Sequence, residues 1–596
     1  MASIKIMRFG GLLPQVNPKA LPNDRAQIAH NCLLWDGFLR PMPQWQIDQT
    51  VGSTPQSLFK YPAAINGYKY DLFLRQALQN LSEPFDNNLP IGIGTAINST
   101  GVLTTYISSG GPRCFVGVPQ PSALGLTQVI TNNNFSVYPI SRTYAITYVS
   151  GKQEGAPTIL PQIGTNGTLF EGDSVQITFT LDPLTINQYN ITGVRLYRTI
   201  PGFDTSEQLG NPLETGFHLA GSFNFFPTSP PPTAIFVDGV DGSQLQGDLL
   251  ISDEWMPPPP PSLSNPNDSL FFGQTESGWG VHAHYNGAIG FPPNAVDFSE
   301  RYMYHAWPPQ NRVLLPDLIS GIATYYDDVF VGTKSVPYYL HVGVGEAEAL
   351  NISVKPFKDE YACVSGTMVG TNFGAIYASK DGLIALSAES ENVTSKRIAS
   401  PGDPLNTGTF TYHFYDAVRA GWWNGNYFGF TPNGGYIFNQ PNPSNNEYPL
   451  GQLVTIDLPN PVPGPSVATG SGFFTAFGNS IYKFALPGYG YDSAPKATYT
   501  WKSKRYVMPG LTTFAAAKCV NDGSGSLNVT INGYNSGQET TPSFVYTRPL
   551  SHSNPFRIPH QFKCLEFDFV LSGTSAVEEF HIATSERELT ETPGSE

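Results

Sequence analysis

The sequence predicts an all-β protein, and three observations support that prediction. The 596 residues include 59 glycines and 53 prolines, a combined share of about 19% against a usual share of about 12%. Aromatic residues make up 13% of the chain, the same share as charged residues. Many turn residues combined with many Tyr and Phe are typical of short strands joined by tight turns. A hydrophobic content of 40% argues against disorder.

The first element is the segment FGGLLPQVNPKALPNDRAQIAHNCLLWDGFLRP, residues 9–41. Its adjacent glycines and repeated prolines fit neither a helix nor a regular strand. Lys5, Arg8, Gly10 and Pro14 interrupt the opening of the chain, which therefore lacks the apolar run of a secretory signal. No later segment reaches the roughly 18 apolar residues of a membrane span. We expect an extended N-terminal strap in a soluble protein that is synthesised in the cytoplasm.

Hairpin patterns recur from residue 320 onward. In each of them two apolar runs flank a turn, and the turn markers are Lys334, Lys380, Asn433 and Asn479, spaced by 46, 53 and 46 residues. Such spacings match propeller blades, whose repeats are about 40–50 residues long. Asn66-Gly67 marks an earlier hairpin between two apolar runs. We predict one β-propeller, formed from two separate stretches of the chain.

The region between these stretches has a different pattern. GDSVQITFTL alternates polar and apolar residues, and SRTYAITYVS, NITGVRLYRT and AIFVDGV add further short strands. Such spacing describes a small β-sandwich, and the strand pattern resembles a fibronectin type III domain. Pro257 to Pro261 follow the sandwich as a stiff spacer. The C-terminal part of the chain contains further strands, followed by an acidic tail. The predicted segments are the strap 1–44, propeller parts 45–137 and 266–500, the inserted sandwich 138–256, the Pro-rich linker 257–265, and C-terminal strands with the tail 501–596.

Few residues suggest chemistry. The cysteines Cys32, Cys114, Cys363, Cys519 and Cys564 are odd in number and far apart, so we predict buried free thiols rather than disulfides or a zinc site. His282 and His284 share one face of a strand, but a metal site needs further ligands, so we interpret them as structural.

The sequence contains no GxSxG, Walker, HExxH or GxGxxG motif. Asp238 to Gly242 read as a reverse turn rather than a calcium loop, since the EF-hand spacing is absent. The hairpin turn around Lys380 and Asp381 lacks the spacing of an aspartate-box turn. We therefore predict no cofactor, no metal and no enzymatic activity, although a carboxylate pair assembled by folding would leave no local signature.

The opening segment resembles the N-terminal segment of tail nozzle (tail tubular) proteins of short-tailed, podovirus-type bacteriophages. YYDDVFVGTKSVPYYLHVG and CVSGTMVGTNFGAIYASKDGLIAL are similar to their propeller strands. The inserted sandwich departs from the simplest nozzles. The matching strap-motif positions are Phe9, Gly10, Gly11, Pro14, Asn31, Leu33, Gly37, Leu39, Arg40 and Pro41, with Leu21, Pro22, Ala26 and Ala29 between them.

This resemblance implies a structural virion protein of the phage tail. Such a nozzle is a homohexameric ring below the portal adaptor, it carries tail fibres or spikes, and DNA is ejected through its lumen. The strap would then dock on the first blade or on a neighbouring subunit, or would close its own propeller. The net charge of −15 agrees with DNA passing without specific binding, because phosphate binding needs Lys and Arg.

A second hypothesis belongs to another class of protein. A propeller with an appended sandwich could instead be a receptor-binding or polysaccharide-degrading tail protein. The 30 tyrosines and 8 tryptophans would suit sugar stacking, although aromatic residues are equally ordinary in a propeller core.

Overall fold

The structure is a computed structural model of the chain. It describes residues 3–13, 17–34, 36–50, 58–61, 71–74, 91–97, 103–109, 114–115, 120–122, 126–132, 139–150, 153–164, 168–183, 186, 191–199, 202–203, 216–226, 231–240, 245, 247–250, 270–284, 292–301, 307–345, 349–389, 392–399, 419–432, 434–439, 452–460, 463–469, 472–484, 494–536, 539–559 and 563–590.

The chain divides into two compact units. One comprises Met1–Leu72, Ala323–His341 and Ser353–Glu596, and the other comprises Phe73–Ile322 and Val342–Ile352. The fold is all-β, which confirms the predicted class. Helices with described bounds are a 3-10 turn at Pro309–Asn311 and an α-helix, α1, at Glu586–Thr590.

The first strands of the chain are short. β3 pairs with β4, β6 pairs with β7, and β10, β9 and β8 form a three-stranded sheet in that order. The predicted Asn66-Gly67 turn lies outside the described residues. The strands are β1 Ser3–Ile6, β2 Ala26–His30, β3 Cys32–Leu33, β4 Arg40–Pro41, β5 Gln46–Thr50, β6 Leu58–Tyr61, β7 Asp71–Leu74, β8 Ile91–Ile97, β9 Leu103–Ser109 and β10 Cys114–Phe115.

The next strands build a two-sheet sandwich. Their bounds are β11 Thr127–Thr131, β12 Ile140–Ser141, β13 Tyr144–Ser150, β14 Gln153–Glu154, β15 Thr158–Ile159, β16 Ser174–Thr180, β17 Gly193–Thr199, β18 Gly202–Phe203, β19 Phe217–Asn224 and β20 Thr233–Asp238. One sheet has the order β11-β16-β20, and the other has the order β14-β13-β17-β19 with β15 beside β13. β11 lies before residue 138, where the sequence predicted the sandwich to begin.

The core of this sandwich combines the inner faces of both sheets. Ile177 and Phe236 come from the first sheet, and Ile146 and Leu196 from the second, all in one buried cluster. The alternation in β16 explains this placement, because Val175, Ile177 and Phe179 face inward while the residues between them face outward.

The strands from β21 to β39 lie in groups of four neighbouring strands, and the group β33 to β36 is part of a larger, ten-stranded sheet. Their bounds are β21 Leu270–Gln274, β22 Gly280–His284, β23 Ala295–Phe298, β24 Arg312–Leu314, β25 Ile319–Tyr325, β26 Asp328–Thr333, β27 Tyr338–Val344, β28 Leu350–Pro356, β29 Val369–Thr371, β30 Gly374–Ser379, β31 Gly382–Glu389, β32 Asn392–Ala399, β33 Arg419–Trp423, β34 Asn426–Thr431, β35 Gly434–Asn439, β36 Gln452–Ile456, β37 Pro463–Thr469, β38 Gly472–Phe477 and β39 Ser480–Phe484.

Sequential strands are neighbours in each of these sheets. The orders are β21-β22-β23-β24, β25-β26-β27-β28, β29-β30-β31-β32, β33-β34-β35-β36 and β37-β38-β39-β5. Hairpins occur at the predicted positions Lys334, Lys380 and Asn479, and Asn433 lies outside the described residues. Four-stranded sheets of this kind are the blades of propellers. The closure of these sheets into a single propeller stays a prediction.

Inner strands of these sheets are buried along their whole length. Every residue of β30, β34 and β38 is buried. Both faces of such strands are covered, which explains why the YFGF segment of β34 is continuously apolar rather than alternating. β5 completes the last of these sheets, where Thr50 lies opposite Ser480.

The C-terminal strands form two further sheets around a common core. They are β40 Tyr499–Ser503, β41 Tyr506–Thr512, β42 Ala516–Asn521, β43 Leu527–Tyr534, β44 Phe544–Leu550, β45 Phe556–Arg557, β46 Cys564–Gly573 and β47 Val577–Ala583. One sheet runs β33-β34-β35-β36-β2-β40-β46-β43-β44 with β41 beside β46, and the other runs β1-β47-β42-β45. Phe569 of the first sheet packs on Phe580 of the second, with ring centroids 5.1 Å apart.

The predicted acidic tail contains a short helix, α1, at Glu586–Thr590. Glu586 pairs with Arg557 at 2.6 Å, and Leu589 is buried against Ala516 and Ala583. One apolar residue in a charged run is sufficient to anchor this turn of helix.

Candidate functional site

The strap docks on its own chain. β1 pairs with β47, and Ile4 lies opposite Ile582. β2 bridges β36 on one side, through His30 and Thr455, and β40 on the other. Of the three expected positions, the first blade is corrected, because the partners observed within the chain are the C-terminal strands and β36 of the same unit.

Phe9 anchors the strap in the core. Its side chain is 1% exposed and meets the Trp501 ring edge-on, with centroids 5.0 Å apart. The Trp501 indole Nε1 donates a hydrogen bond to the Gly10 carbonyl at 3.0 Å, and the Phe9 amide donates to the Gly37 carbonyl at 2.8 Å. The indole therefore satisfies a strap carbonyl and packs against the strap aromatic at the same time.

The Gly10-Gly11 pair is explained by close backbone approach. A Cβ atom on Gly10 would lie 2.5 Å from the Asp24 carbonyl oxygen, and one on Gly11 would lie 2.5 Å from the Leu453 carbonyl oxygen. The Gly11 amide donates to Gln452 Oε1 at 2.5 Å. A larger residue at Gly10 would clash within the strap, and one at Gly11 would force the strap away from β36.

Asn31 turns the chain between β2 and β3. Its φ is 54°, a left-handed conformation in which Asn is enriched. The Asn31 side chain donates to Asp457 Oδ2 at 2.8 Å and accepts from the Asp457 amide at 3.0 Å. The Asn31 amide donates to the Thr455 carbonyl at 2.8 Å. Asn31 therefore joins the strap to the end of β36.

The remaining motif residues form a small hairpin. Leu33 lies opposite Arg40, and Cys32 lies opposite Pro41. Gly37 has a φ of 83°, which favours glycine at the turn. Arg40 is exposed and pairs with Asp36 at 2.7 Å.

Leu39 fixes this hairpin to the C-terminal strands. It is fully buried and exchanges two backbone hydrogen bonds with Val577. Pro14 lies outside the described residues. The other described motif residues, apart from the exposed Arg40, thus meet in one seam between the strap, β36, β40 and β47, which we call the strap seam.

A cleft of about 400 Å³ opens beside the strap seam. It is lined by Asn31, Met42, Pro43, Gln44, Trp45, Ile456, Asp457, Leu458, Pro459, Ala497 and Thr498. Asp457 is the carboxylate among these described lining residues, and it faces His30 Nε2 at 3.2 Å. A glycosidase uses two facing carboxyl groups. The cleft therefore offers one carboxylate, Asp457, and one aromatic side chain, Trp45, but its described lining holds no pair of carboxyl groups.

Two carboxylates missed in the sequence lie together on β46. Glu566 and Asp568 are buried side chains two residues apart, so they share one face of the strand. Glu566 pairs with Lys19 of the strap at 2.6 Å, and Asp568 pairs with Lys502 at 3.0 Å. Tyr534 donates to Asp568 at 2.9 Å. The alternation in LEFDF was the available signal.

Asp568 is bound by Lys502, Asn532 and Tyr534, all on the C-terminal strands. Glu566 instead reaches the strap, since it lies 2.6 Å from Lys19 as well as 3.6 Å from Arg505. This arrangement ties the strap to the C-terminal sheet by an ion pair in addition to its apolar contacts.

A second buried ionic group lies inside the sandwich. Asp238 accepts from Arg198 at 3.0 Å and from the Tyr144 hydroxyl at 2.7 Å, and it lies 3.5 Å from Arg142. Burial raises the pKa of Tyr144 above its usual value, with the Asp238 charge adding to the effect. Asp238 is therefore a structural carboxylate at the end of β20.

The predicted cysteines and histidines are placed as follows. Cys32, Cys363, Cys519 and Cys564 are free and buried, which agrees with the predicted buried thiols, and the side chain of Cys114 lies outside the described set. The buried ring of His282 lies 4.6 Å from that of Trp307 and 3.9 Å from Asp297.

The described part of the chain lacks metal-ligand clusters and membrane-spanning helices. Within them, no group of three or more His, Cys, Asp or Glu residues is arranged to hold a metal ion. Their helices include none with the length and apolar character needed to cross a bilayer.

Comparison with known proteins finds structural similarity at low sequence identity. No family model matches the chain, and no curated protein matches it. An exo-β-1,3-galactanase from Phanerochaete chrysosporium, solved with galactose, aligns with 52% of this chain and 95% of its own, at 9% identity and a TM-score of 0.22.

Proposed function

We propose that this chain is a structural virion protein of a short phage tail. Copies of it would form a ring-shaped nozzle, a homohexamer below the portal adaptor, through which DNA is ejected. Tail fibres or spikes would attach to the ring, and the protein would act without enzymatic activity.

The strap seam is the observation that carries this proposal. The residues on which the resemblance to nozzle proteins rests are the ones that fix the strap in place. Phe9 and Leu39 are buried, Gly10 and Gly11 allow close backbone contact, and Asn31 makes a left-handed turn. A shared motif with such constraints supports a shared architecture more strongly than exposed matching residues would.

The charge of the chain supports a conduit. Its formal net charge is −15, with 47 acidic and 32 basic residues. Proteins that hold DNA tightly do so by pairing Lys and Arg with phosphates. A ring of several acidic copies would repel the DNA backbone, so DNA would pass through it without specific binding.

Labelled virions would test this proposal. Antibody against the chain should label the base of the tail in electron micrographs of a phage that encodes it. In a separate assay, the purified protein should leave capsular polysaccharide of the host unchanged. Label on the capsid, or release of oligosaccharides by the protein, would instead support the receptor-binding or polysaccharide-degrading alternative.

A further inference from the structure

One face of the sandwich has an unusual composition. The outward positions of the sheet β11-β16-β20 carry no charged and no aromatic side chain. Eight of these ten residues are Val, Ile or Thr. We call them the β-branched face: Thr127, Val129, Thr131, Ser174, Gln176, Thr178, Thr180, Thr233, Ile235 and Val237.

The strand register places these side chains in rows. Gln176 lies opposite Val129 on one side and Val237 on the other. Thr178 likewise lies between Thr127 and Ile235. Val129 is 54% exposed and Val237 is 67% exposed, so the apolar side chains of this face are largely open to solvent.

The outer face of the opposite sheet is different. Arg195 pairs with Glu154 at 2.7 Å, and Tyr197 donates to the same carboxylate at 2.7 Å. Tyr197 is also buried in a cluster with Phe217 and Leu250. One face of the sandwich is therefore charged and covered by its own chain, whereas the β-branched face is uncharged and exposed.

We propose that the β-branched face is a contact surface for a second copy of this chain, a proposal that rests on the homo-oligomer of the proposed function. The face lacks the basic residues that phosphates require and the aromatic rings on which sugars stack. β-Branched side chains are stiff at χ1, so they lose little rotamer freedom when they are buried. These properties suit contact with another protein rather than with a nucleic acid or a sugar.

Charge favours a second copy over other proteins. Each copy carries a net −15, so two copies repel one another across most of their surfaces. A contact between them needs a patch where no carboxylate must be buried. A basic partner would instead be drawn to acidic surface, and the β-branched face offers it no carboxylate.

The size of the face sets the strength of the contact. Three strands about 4.8 Å apart and about 20 Å long give a face of about 300 Å². A stable pairwise interface buries about 800 Å² on each partner. Contact through this face alone is therefore weak, and stable assembly requires it to be repeated or combined with other contacts.

Sedimentation velocity of the full-length protein tests the proposal. The weight-average sedimentation coefficient of the wild type should rise with concentration. The double substitution Val129→Lys with Val237→Lys should weaken this association at least tenfold, because it places unpaired charges in the buried contact. The uncharged pair Val129→Thr with Val237→Thr should associate as the wild type does.

Two controls separate this effect from misfolding and from general charge. Val507 is 59% exposed on β41, in the other unit, so Val507→Lys should leave association unchanged. Gln176→Cys, labelled with an environment-sensitive dye, should change its emission as association proceeds. A wild type that sediments identically at all concentrations, a lysine variant that associates normally or a dye that does not respond would each overturn the proposal.

The outcomes also separate this proposal from the proposed function. Rings that form equally well from the lysine variant would reject the β-branched face while leaving the nozzle intact. Association that depends on the face, in a protein absent from virions, would reject the nozzle and retain the face.

Discussion

Removal of the Phe9 side chain should release the strap from the core. Phe9 is 1% exposed and packs edge-on against Trp501 with a centroid separation of 5.0 Å. Replacing a buried Phe by Ala typically costs about 3–5 kcal/mol, which includes the lost transfer free energy and the cavity that remains. We take about 3 kcal/mol for Phe9→Ala, because the strap lies at the edge of the core and can partly collapse.

Hydrogen exchange measures this effect where it occurs. β1 is held by backbone hydrogen bonds to β47, so its amides exchange only when the strap opens. A loss of about 3 kcal/mol corresponds to exchange that is more than about 100-fold faster for peptides covering residues 3–13. Peptides from the sandwich should exchange at wild-type rates, because they belong to the other unit.

Two variants control this experiment. Met7 is adjacent to the same strand but 59% exposed, so Met7→Ala should change the free energy of opening by less than about 0.5 kcal/mol. Phe9→Leu keeps most of the apolar volume and should fall between Phe9→Ala and the wild type. Exchange in Phe9→Ala that is no faster than in Met7→Ala would refute the assignment of Phe9 as the strap anchor.

Three further outcomes are expected from the same structure. Gly11→Val should weaken strap docking and speed exchange in residues 3–13, because its Cβ would meet the Leu453 carbonyl oxygen at 2.5 Å; wild-type exchange would contradict this. Burial raises the pKa of the Cys519 thiol to about 12. A thiol reagent at pH 8 should therefore modify Cys519 only after denaturant is added. Rapid modification of Cys519 in the folded protein would disprove its burial. Partial burial would raise the pKa of Asp522, but hydrogen bonds from Ser575 and neighbouring groups outweigh it and lower that pKa to about 2. The ionised carboxylate therefore stabilises the fold above about pH 4, and this effect is lost as the pH falls towards 2. Asp522→Asn should lower the melting temperature at pH 7 far more than at pH 2, and an equal loss at both pH values would refute the assignment.

Local patterns in the sequence predicted local structure well. The turns at Lys334, Lys380 and Asn479 could be located because glycine, asparagine and apolar runs mark hairpins within about 15 residues. Cys32 and Cys519 could be expected in the core because isolated cysteines behave as small apolar residues.

Pairing over long distances could not be predicted. Ile4 lies opposite Ile582, and Gly11 bonds to Gln452, but nothing within either segment identifies its partner. The sequence therefore left the strap's position open between the first blade, a neighbouring subunit and its own propeller, whereas the two isoleucines pair strands from opposite ends of the chain. The ion pair between Lys19 and Glu566 likewise joins distant segments, so no local signal in the sequence predicts it.

Exposed strands were also difficult to predict. β11, Thr127–Thr131, has the sequence TQVIT, in which no residue is fully buried. Without a buried face it shows little of the alternation that identified β16. The place of β11 beside β16 depends on the register between the two strands, which no local pattern in the sequence shows.

The most direct test of the proposed nozzle is the symmetry of the purified full-length protein. Cryo-electron microscopy of the assembled protein should show a closed six-fold ring with an axial channel, and the strap seam should lie within each subunit rather than between subunits. A protein that remains monomeric at every concentration, or one that assembles without an axial channel, would contradict the account.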